Sequence, residues 1–273
     1  MADVAAVLLA RHERLTSRAG SAVRVLEQVD DPEAGAQEVA RSLGTDPVLA
    51  ARVLRVANSA YYGVSGRVST LPFAVSVLGF QTVRTIAVTA AAGLDDPAAV
   101  PAGFWEGAAL SATAGQLVAP LVGADEGEAF SAGLLHTLGA ALLHQHESRG
   151  LLCLPEPENP AVMVAEEQEY YGITHDQAAA RVLGAWHVPE PITVAIGRHH
   201  AALLPDAPPL ERALQVARLL ADAVLRDAVP PVTGDLVRQV TEGAVSPEDL
   251  PVLLDRVRDR AGTLLEGLRP RER

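Results

Sequence analysis

The sequence predicts an all-α protein made of two packed helical bundles. Apolar residues recur at helical spacing along the chain, and no stretch alternates apolar and polar residues as strands do. The apolar fraction is 49% but aromatic residues supply only 4%, so Ala, Val and Leu dominate the predicted core. This composition is typical of closely packed helices, and 273 residues are enough for one large domain or two small ones.

The N-terminal half is predicted to begin with a helix over residues 4–26, bent near Gly20. We interpret the first residues as part of this helix, not as a signal peptide, because they carry Asp3 and lack a basic start. A second, short helix is predicted over residues 37–43, and Gly44 ends it.

The segment from Thr45 to Ala57 carries dense start signals for a third helix. Thr45 or Asp46 can cap it, and Pro47 suits its first position, where a missing N–H costs nothing. Val, Leu and Ala residues form its apolar face, and Arg52 and Arg55 are expected to reach water. Asn58 and Ser59 should end this helix, because their side chains compete for nearby backbone groups.

After a glycine-rich turn, Gly79 divides a second apolar run, residues 71–78, from a further helix that begins near Phe80. A Pro- and Gly-rich stretch from Leu94 to Gly103 is the predicted boundary between the two halves. The helices expected beyond it cover residues 104–122, 128–145, 162–171, 174–186, 192–200, 210–227, 235–242 and 247–268. The predicted division is therefore 1–94, 95–228 and a C-terminal helical extension over 229–273.

The motif residues of the first half resemble the HDOD family. They are Asp46-Pro47, Arg52-Val53-Leu54-Arg55, Ala57-Asn58-Ser59-Ala60, Tyr62-Gly63 and Leu78-Gly79. The resemblance runs from about Leu15 to about Leu225. It implies an all-helical signalling module with an HDOD-type first half and a degenerate HD-like second half. Such modules are related to HD-type metal phosphohydrolases and often lack their catalytic residues.

In HD-type hydrolases, histidines and aspartates bind one or two divalent metal ions, and a bound water becomes the nucleophile. Carried over one position at a time, the resemblance leaves histidines at His136, His175, His199 and His200. It places Gly107 at the first histidine and Thr137 at the aspartate. The final acid falls on Arg218, or on Asp222 in a shifted alignment.

The loss of these carboxylates implies a protein without catalytic residues, without a catalytic metal and without a cofactor. The favoured function is a non-enzymatic signal-transduction module that binds a protein partner. Two alternatives stay open. One is an HD-type phosphohydrolase that acts on a nucleotide or cyclic dinucleotide, and the other is a module that binds a nucleotide in the old pocket without cleaving it.

The candidate interaction motif consists of Asn58, Ser59, Tyr61, Tyr62 and Arg67. We expect the Asn58 side chain to bond the following loop and so to fix the two tyrosines. Tyr and Arg are the residue types that most often anchor interfaces. We expect at least one ring or the Arg67 guanidinium to be accessible, although both rings could instead lie in the junction between the halves.

Charge and cysteine content limit the partners and the compartment. The net charge is -12, and residues 95–273 hold thirteen Arg against twenty-six acids, which disfavours general nucleic-acid binding. Cys153 is the single cysteine, which excludes an internal disulfide and fits a reducing cytoplasm. No apolar run approaches the roughly 20 residues that span a bilayer, so membrane insertion is not expected.

Overall fold

The computed structural model describes residues 20–94, 99–146, 160–202, 206–229 and 231–268, and these contain helices and no strand. The predicted all-α class is therefore confirmed for the part of the chain that the structure describes. The first nineteen residues, Cys153 and the middle of the predicted boundary at residues 95–98 lie outside these ranges.

The first half consists of short helices that pack on one long helix. Their bounds are α1, Gly20–Asp30; α2, Ala36–Leu43; α3, Pro47–Ala57; a 3₁₀ turn, Ala60–Tyr62; and α4, Leu71–Ala91. The Asp46 carboxylate caps α3 by accepting from the backbone N–H groups of Val48 and Leu49. Gly79 lies inside α4 with φ 74°, so the predicted break appears there as a kink. Helices α1, α2 and α3 all pack against α4.

The second half is arranged around α5, which carries a single charged residue, Glu106, and is buried on most of its surface. The helix bounds are α5, Phe104–Val122; α6, Glu126–Leu135; α7, Leu138–His146; α8, Pro160–Tyr171; α9, His175–Ala185; α10, Glu190–Gly197; α11, Pro209–Arg226; α12, Pro231–Val240; and α13, Leu250–Leu268. Helices α6, α11 and α13 pack against α5. Helix α9 packs against both α7 and α10.

The two halves share one hydrophobic core. Helix α4 packs on α6, and the Thr85 hydroxyl donates to Ser131 Oγ across this contact at 3.1 Å. The expectation that Arg52 reaches water is wrong. Its side chain is buried, with the guanidinium 5.0 Å from the centre of the Trp105 ring, where the ring face attracts a cation. The domain division at residue 94 stays a prediction.

Two helices end earlier than the sequence predicts. The stretch 128–145 is broken at His136 and Thr137, and the helix expected over 192–200 stops at Gly197. In both places a histidine Nδ1 lies against the carbonyl oxygen three residues earlier: His136 on Gly133 O at 2.7 Å and His199 on Ile196 O at 2.6 Å. A side chain that satisfies a terminal carbonyl stabilises a helix end at that point.

By length and composition alone, α4 is one helix among the described residues that could cross a membrane. Its most apolar window is 56% buried inside the protein. A core helix passes the same test, so this feature is weak support for a membrane span.

Candidate functional site

Four of the predicted histidines come together in the second half. His136 follows α6, His175 begins α9, and His199 and His200 lie in the turn after α10. The close packing of α7 on α9 fixes this arrangement. A Cβ added to Gly139 would lie 1.8 Å from the backbone oxygen of His175, so only glycine allows this approach.

The ring nitrogens of three of these histidines converge. The Nε2 atom of His175 lies 3.2 Å from Nε2 of His199 and 3.0 Å from Nε2 of His200. The ring of His136 contacts that of His199 edge-on, with 5.4 Å between centres. Among the described residues, His175, His199 and His200 form the one group that could hold a metal ion, with ligand atoms within 4.8 Å of one another.

Sequence reasoning missed Glu167, which holds His175 in place. Its carboxylate is 0% exposed, accepts from the backbone N–H of His175 at 2.8 Å and lies 2.8 Å from Nδ1 of the same residue. One signal could have found it. Met163, Glu167 and Tyr171 are spaced by four residues, and all three lie on the buried face of α8. A glutamate between two core residues on one helix face is a candidate buried carboxylate.

His199 is held as a neutral ring by its surroundings. Burial, followed by the nearby His200, His175 and His136, keeps the pKa of His199 well below its ordinary value. Its Nδ1 must carry the proton, because it faces the carbonyl oxygen of Ile196. The lone pair of His199 is therefore on Nε2, which points at His175.

The other positions carried over from the HD-type ligand set hold residues that do not bind metal ions. Gly107 is buried within α5, and Thr137 is 3% exposed beside His136. Arg218 lines an open cavity of about 590 Å³ together with Thr174, Gln177 and His200. The sequence predicted no metal here, but the structure brings three imidazoles to ligand spacing. Among the described residues, no carboxylate joins this group of possible ligands.

The predicted interaction motif forms a second group, in the first half. The Asn58 amide donates to Val68 O at 2.7 Å and to Leu54 O at 3.0 Å, and its Oδ1 accepts from Val68 N at 3.0 Å. This side chain therefore closes the loop that follows α3, as expected. Ser59 is buried, and its hydroxyl donates to Val56 O at 2.7 Å.

Both tyrosines are half-buried, and Tyr61 lies in the junction between the halves. The Tyr61 hydroxyl donates to Gln116 of α5, and its ring packs on Tyr62 and on Phe130 of α6. The guanidinium of Arg260 in α13 lies over the Tyr61 ring, 5.3 Å from its centre. Burial raises the pKa of Tyr61 to about 12 and also raises that of Tyr62. Arg67 differs from them, because it is exposed.

The described residues form an all-helical domain with a histidine cluster at α9 and a closed loop after α3. A family model described as the HDOD domain matches residues 15–202. The chain therefore belongs to the HDOD domain family, and α11, α12 and α13 lie beyond the matched residues.

Solved structures share the fold. A protein from Shewanella amazonensis SB2B, provisionally described as a phosphohydrolase, is 23% identical with a TM-score of 0.67, over 91% of this chain and 93% of that chain. An HDOD domain protein of unknown function from Geobacter sulfurreducens is 21% identical, with a TM-score of 0.64 over 90% of each chain.

A third similar structure is provisionally described as a signal transduction protein, from Marinobacter aquaeolei VT8. It is 27% identical with a TM-score of 0.63, and the match covers 90% of this chain but 58% of that chain. The comparison with curated proteins gave no match.

Proposed function

We propose that this protein is a bacterial HDOD signalling module that acts by binding another protein and has lost hydrolytic activity. The observation that carries the proposal is the composition of the histidine cluster. Its candidate metal group holds three imidazoles and no carboxylate. The nearby carboxylate, Glu167, is fully buried and already accepts from the ring and the backbone of His175.

This composition weighs against phosphoester hydrolysis on electrostatic grounds. Carboxylates offset the charge of two close divalent ions, and neutral imidazoles do not. Thr137 offers no charge at the aspartate position, and Arg218 brings a positive charge to the cavity beside His200. Both substitutions make a two-metal centre less stable.

A protein without catalytic activity acts by binding a partner, and the loop after α3 offers a binding surface. Arg67 is exposed at this loop, and Phe73, which is 45% exposed, follows it in the first turn of α4. An arginine and an exposed aromatic ring are typical anchors of protein interfaces. Asn58 and the two half-buried tyrosines act as the rigid support of this surface and do not form its contact face.

The net charge of -12 supports a protein partner over a nucleic acid, because an acidic surface repels phosphates. A cytoplasmic location and a partner from a signalling pathway are parts of the same proposal.

Affinity capture from the native cell tests this function. Wild-type protein and Arg67→Glu are used as baits, with Arg181→Glu as the control, since Arg181 is also exposed but lies on α9. We expect wild type and the control to retain the same partner and Arg67→Glu to lose it while its circular dichroism stays unchanged. Equal recovery by all three baits would contradict the assignment of this surface.

One observation favours a second candidate, a nucleotide-binding module that does not cleave its ligand. The cavity of about 590 Å³ has Arg218, Thr174 and His200 on its wall, and a guanidinium suits phosphate oxygens. Calorimetric titration with nucleotides and cyclic dinucleotides tests it, with Arg218→Gln as the variant. Saturable binding that this variant weakens would support the second candidate.

A further inference from the structure

The stretch of residues 47–94 contains no acidic residue, although the chain has 34 of them. It carries four arginines, so the negative net charge of the protein belongs entirely to the rest of the chain. Arg52, Arg55 and Arg84 are buried or half-buried and contact groups inside the protein. Arg67 differs from these three, because its side chain is exposed to solvent.

The solvent-facing part of this stretch is almost uncharged. Thirteen residues between Pro47 and Gly79 are exposed, and among them Arg67 alone carries a charge. Two are large apolar residues, Val48 at 68% and Phe73 at 45% exposure. Few charges, an exposed aromatic ring and an arginine are the composition of the central part of a protein interface. We call these thirteen residues the acid-free face.

The exposed side of α13 shows how differently other surfaces of the protein are built. Its exposed residues include Asp255, Arg256, Arg258, Asp259 and Arg260. A surface of mixed charges is what solubility requires of a helix that faces water. The acid-free face therefore departs from the ordinary surface of the same molecule.

The loop between α3 and α4 has a fixed path along α3. The Asn58 side chain, just after α3, makes hydrogen bonds with both backbone groups of Val68. Leu71 lies at the other end of α3, where its Cδ1 atom is 3.8 Å from the position of a Cβ added to Gly44. The residues between Val68 and Leu71 therefore run back along α3, and the starts of α3 and α4 are neighbours.

This path separates the charge from the apolar side chains. Arg67 lies beside the end of α3, whereas Val48 and Phe73 lie near its start. An 11-residue helix is about 16 Å long, so the guanidinium and the apolar pair are about 15 Å apart. Val77, one turn beyond Phe73 on α4, is half-buried and extends the apolar end.

We propose that the acid-free face binds a partner segment that carries a carboxylate and, about 15 Å from it, apolar side chains. This inference rests on the proposed function, because it names the chemistry of the partner that the same surface binds. The carboxylate pairs with the Arg67 guanidinium, and the apolar side chains cover Val48 and Phe73. Like charges repel an acidic segment from the rest of the protein, so this face is the one that admits it.

Phosphate-rich partners fit this face less well. Nucleic acids and anionic membranes are held by several lysines or arginines acting together. Arg67 is a single exposed cation on the acid-free face, and the net charge of -12 repels a polyanion as a whole. A peptide with one or two carboxylates beside apolar residues avoids this repulsion.

Selection from a random 12-residue peptide library displayed on phage, with the full chain as bait, tests the proposal. We expect the enriched peptides to be acidic and to contain large apolar residues. The most enriched peptide is then synthesised, and its affinity is measured by fluorescence anisotropy. Arg67→Glu and Phe73→Ser should each weaken its binding about 10-fold or more, which corresponds to the loss of one good contact.

Two matched variants control for charge and for apolar exposure. Arg181→Glu changes an exposed arginine of α9, and Val252→Ser changes an exposed apolar residue of α13. Both should bind the peptide as wild type does, and circular dichroism establishes that every variant is folded. No enrichment over beads without protein, enrichment of neutral or basic peptides, or equal binding by a folded Arg67→Glu variant would each overturn the proposal.

Cosedimentation with phosphatidylglycerol vesicles separates a lipid contact from a protein contact. Vesicle binding by wild type that Arg67→Glu loses would assign the face to a membrane and overturn the proposal. Its failure is distinct from failure of the proposed function. A cellular protein captured through Arg67, combined with neutral or basic library peptides, would reject the acidic partner and retain the signalling module.

Discussion

At the scale of single residues, Asn58 does more than end a helix. Its amide makes two hydrogen bonds with Val68 and one with Leu54, so one side chain closes the loop between α3 and α4. The loop in turn places Tyr61 against Gln116 and Phe130 of the second half. The loop geometry therefore depends on a polar side chain that no apolar residue of similar size can replace.

Replacing Asn58 with Leu should lower the free energy of unfolding by about 1–3 kcal/mol, because the N–H and the carbonyl of Val68 lose their partner. Urea unfolding measures this. Ser76→Ala is the control, since its hydroxyl bonds Pro72 O at an exposed site and its loss should cost less than about 0.5 kcal/mol. An equal effect of both changes would mean that the Asn58 bonds contribute no special stability.

The tyrosines make stability sensitive to alkaline pH. Burial raises the pKa of Tyr61 to about 12, above its ordinary value of 10.0, and raises that of Tyr62 in the same direction. The unfolded chain therefore releases these protons first as pH rises. The stability is fully present below pH 10 and is lost as pH rises toward about 12. Since the chain contains no lysine, few other groups titrate in this range.

Unfolding by urea at pH 8, 10 and 11 tests this, with wild type compared with Tyr61→Phe and Tyr62→Phe. We expect wild type to lose stability above pH 10 and each variant to lose less. If the pH dependence is the same in all three proteins, the buried tyrosines are not its cause.

At the scale of elements, the histidine cluster depends on how closely α7 approaches α9. A Cβ on Gly139 would meet the backbone of His175, which cannot move as a flexible side chain can. Gly139→Ala should therefore cost about 1–3 kcal/mol or more through overpacking. Gly184→Ala in α9 is the control, because nothing lies within 4 Å of its added Cβ. Thermal melting should show a large loss for Gly139→Ala and no loss, or a small gain, for Gly184→Ala.

Helix positions in this region were predictable, but two of their ends were not. Helix α5 spans Phe104–Val122, as predicted, because its limits are fixed by local signals, Gly103 before it and Gly123 after it. The ends at His136 and Gly197 depend on imidazoles that bond carbonyls of the preceding turn. A histidine within an apolar helical pattern does not show in the sequence that its ring will bond a carbonyl and end the helix. The predictions from apolar periodicity therefore placed both helix ends too late.

The same limit applies to the site. The histidines were found because a motif resemblance marked their positions. Glu167 was missed because two further glutamates, Glu166 and Glu169, lie in the same helix. Glu167 differs from them only in its helix face, which it shares with Met163 and Tyr171. Arg52 was assigned to water because the ring of Trp105, which is distant in sequence, could not be placed next to it.

At the scale of the whole molecule, α13 belongs to the fold although it lies beyond the residues matched by the family. It packs against α3 and α5, and Arg55 Nε donates to Gly267 O at 2.8 Å. Val257 of α13 is 0% exposed, while Val252 of the same helix is 64% exposed. The extension therefore closes the core on the side of the motif loop.

Val257→Asp should unfold the protein or lower its melting temperature by many degrees, because a buried, unpaired charge is expensive. Val252→Asp, on the exposed face, should leave the melting temperature nearly unchanged. Similar melting of both variants would show that α13 is dispensable for the core.

The measurement that tests the central claim most directly is phosphodiester hydrolysis by the full chain. The substrates are bis(p-nitrophenyl) phosphate and a cyclic dinucleotide, assayed with Mn²⁺, Fe²⁺ or Zn²⁺, for wild type, His136→Ala and His175→Ala. Since the histidine cluster includes no carboxylate among its candidate metal ligands, we expect wild type to show no turnover above metal ions alone and no difference from either variant. Turnover by wild type that is abolished in a folded His175→Ala variant would contradict the account.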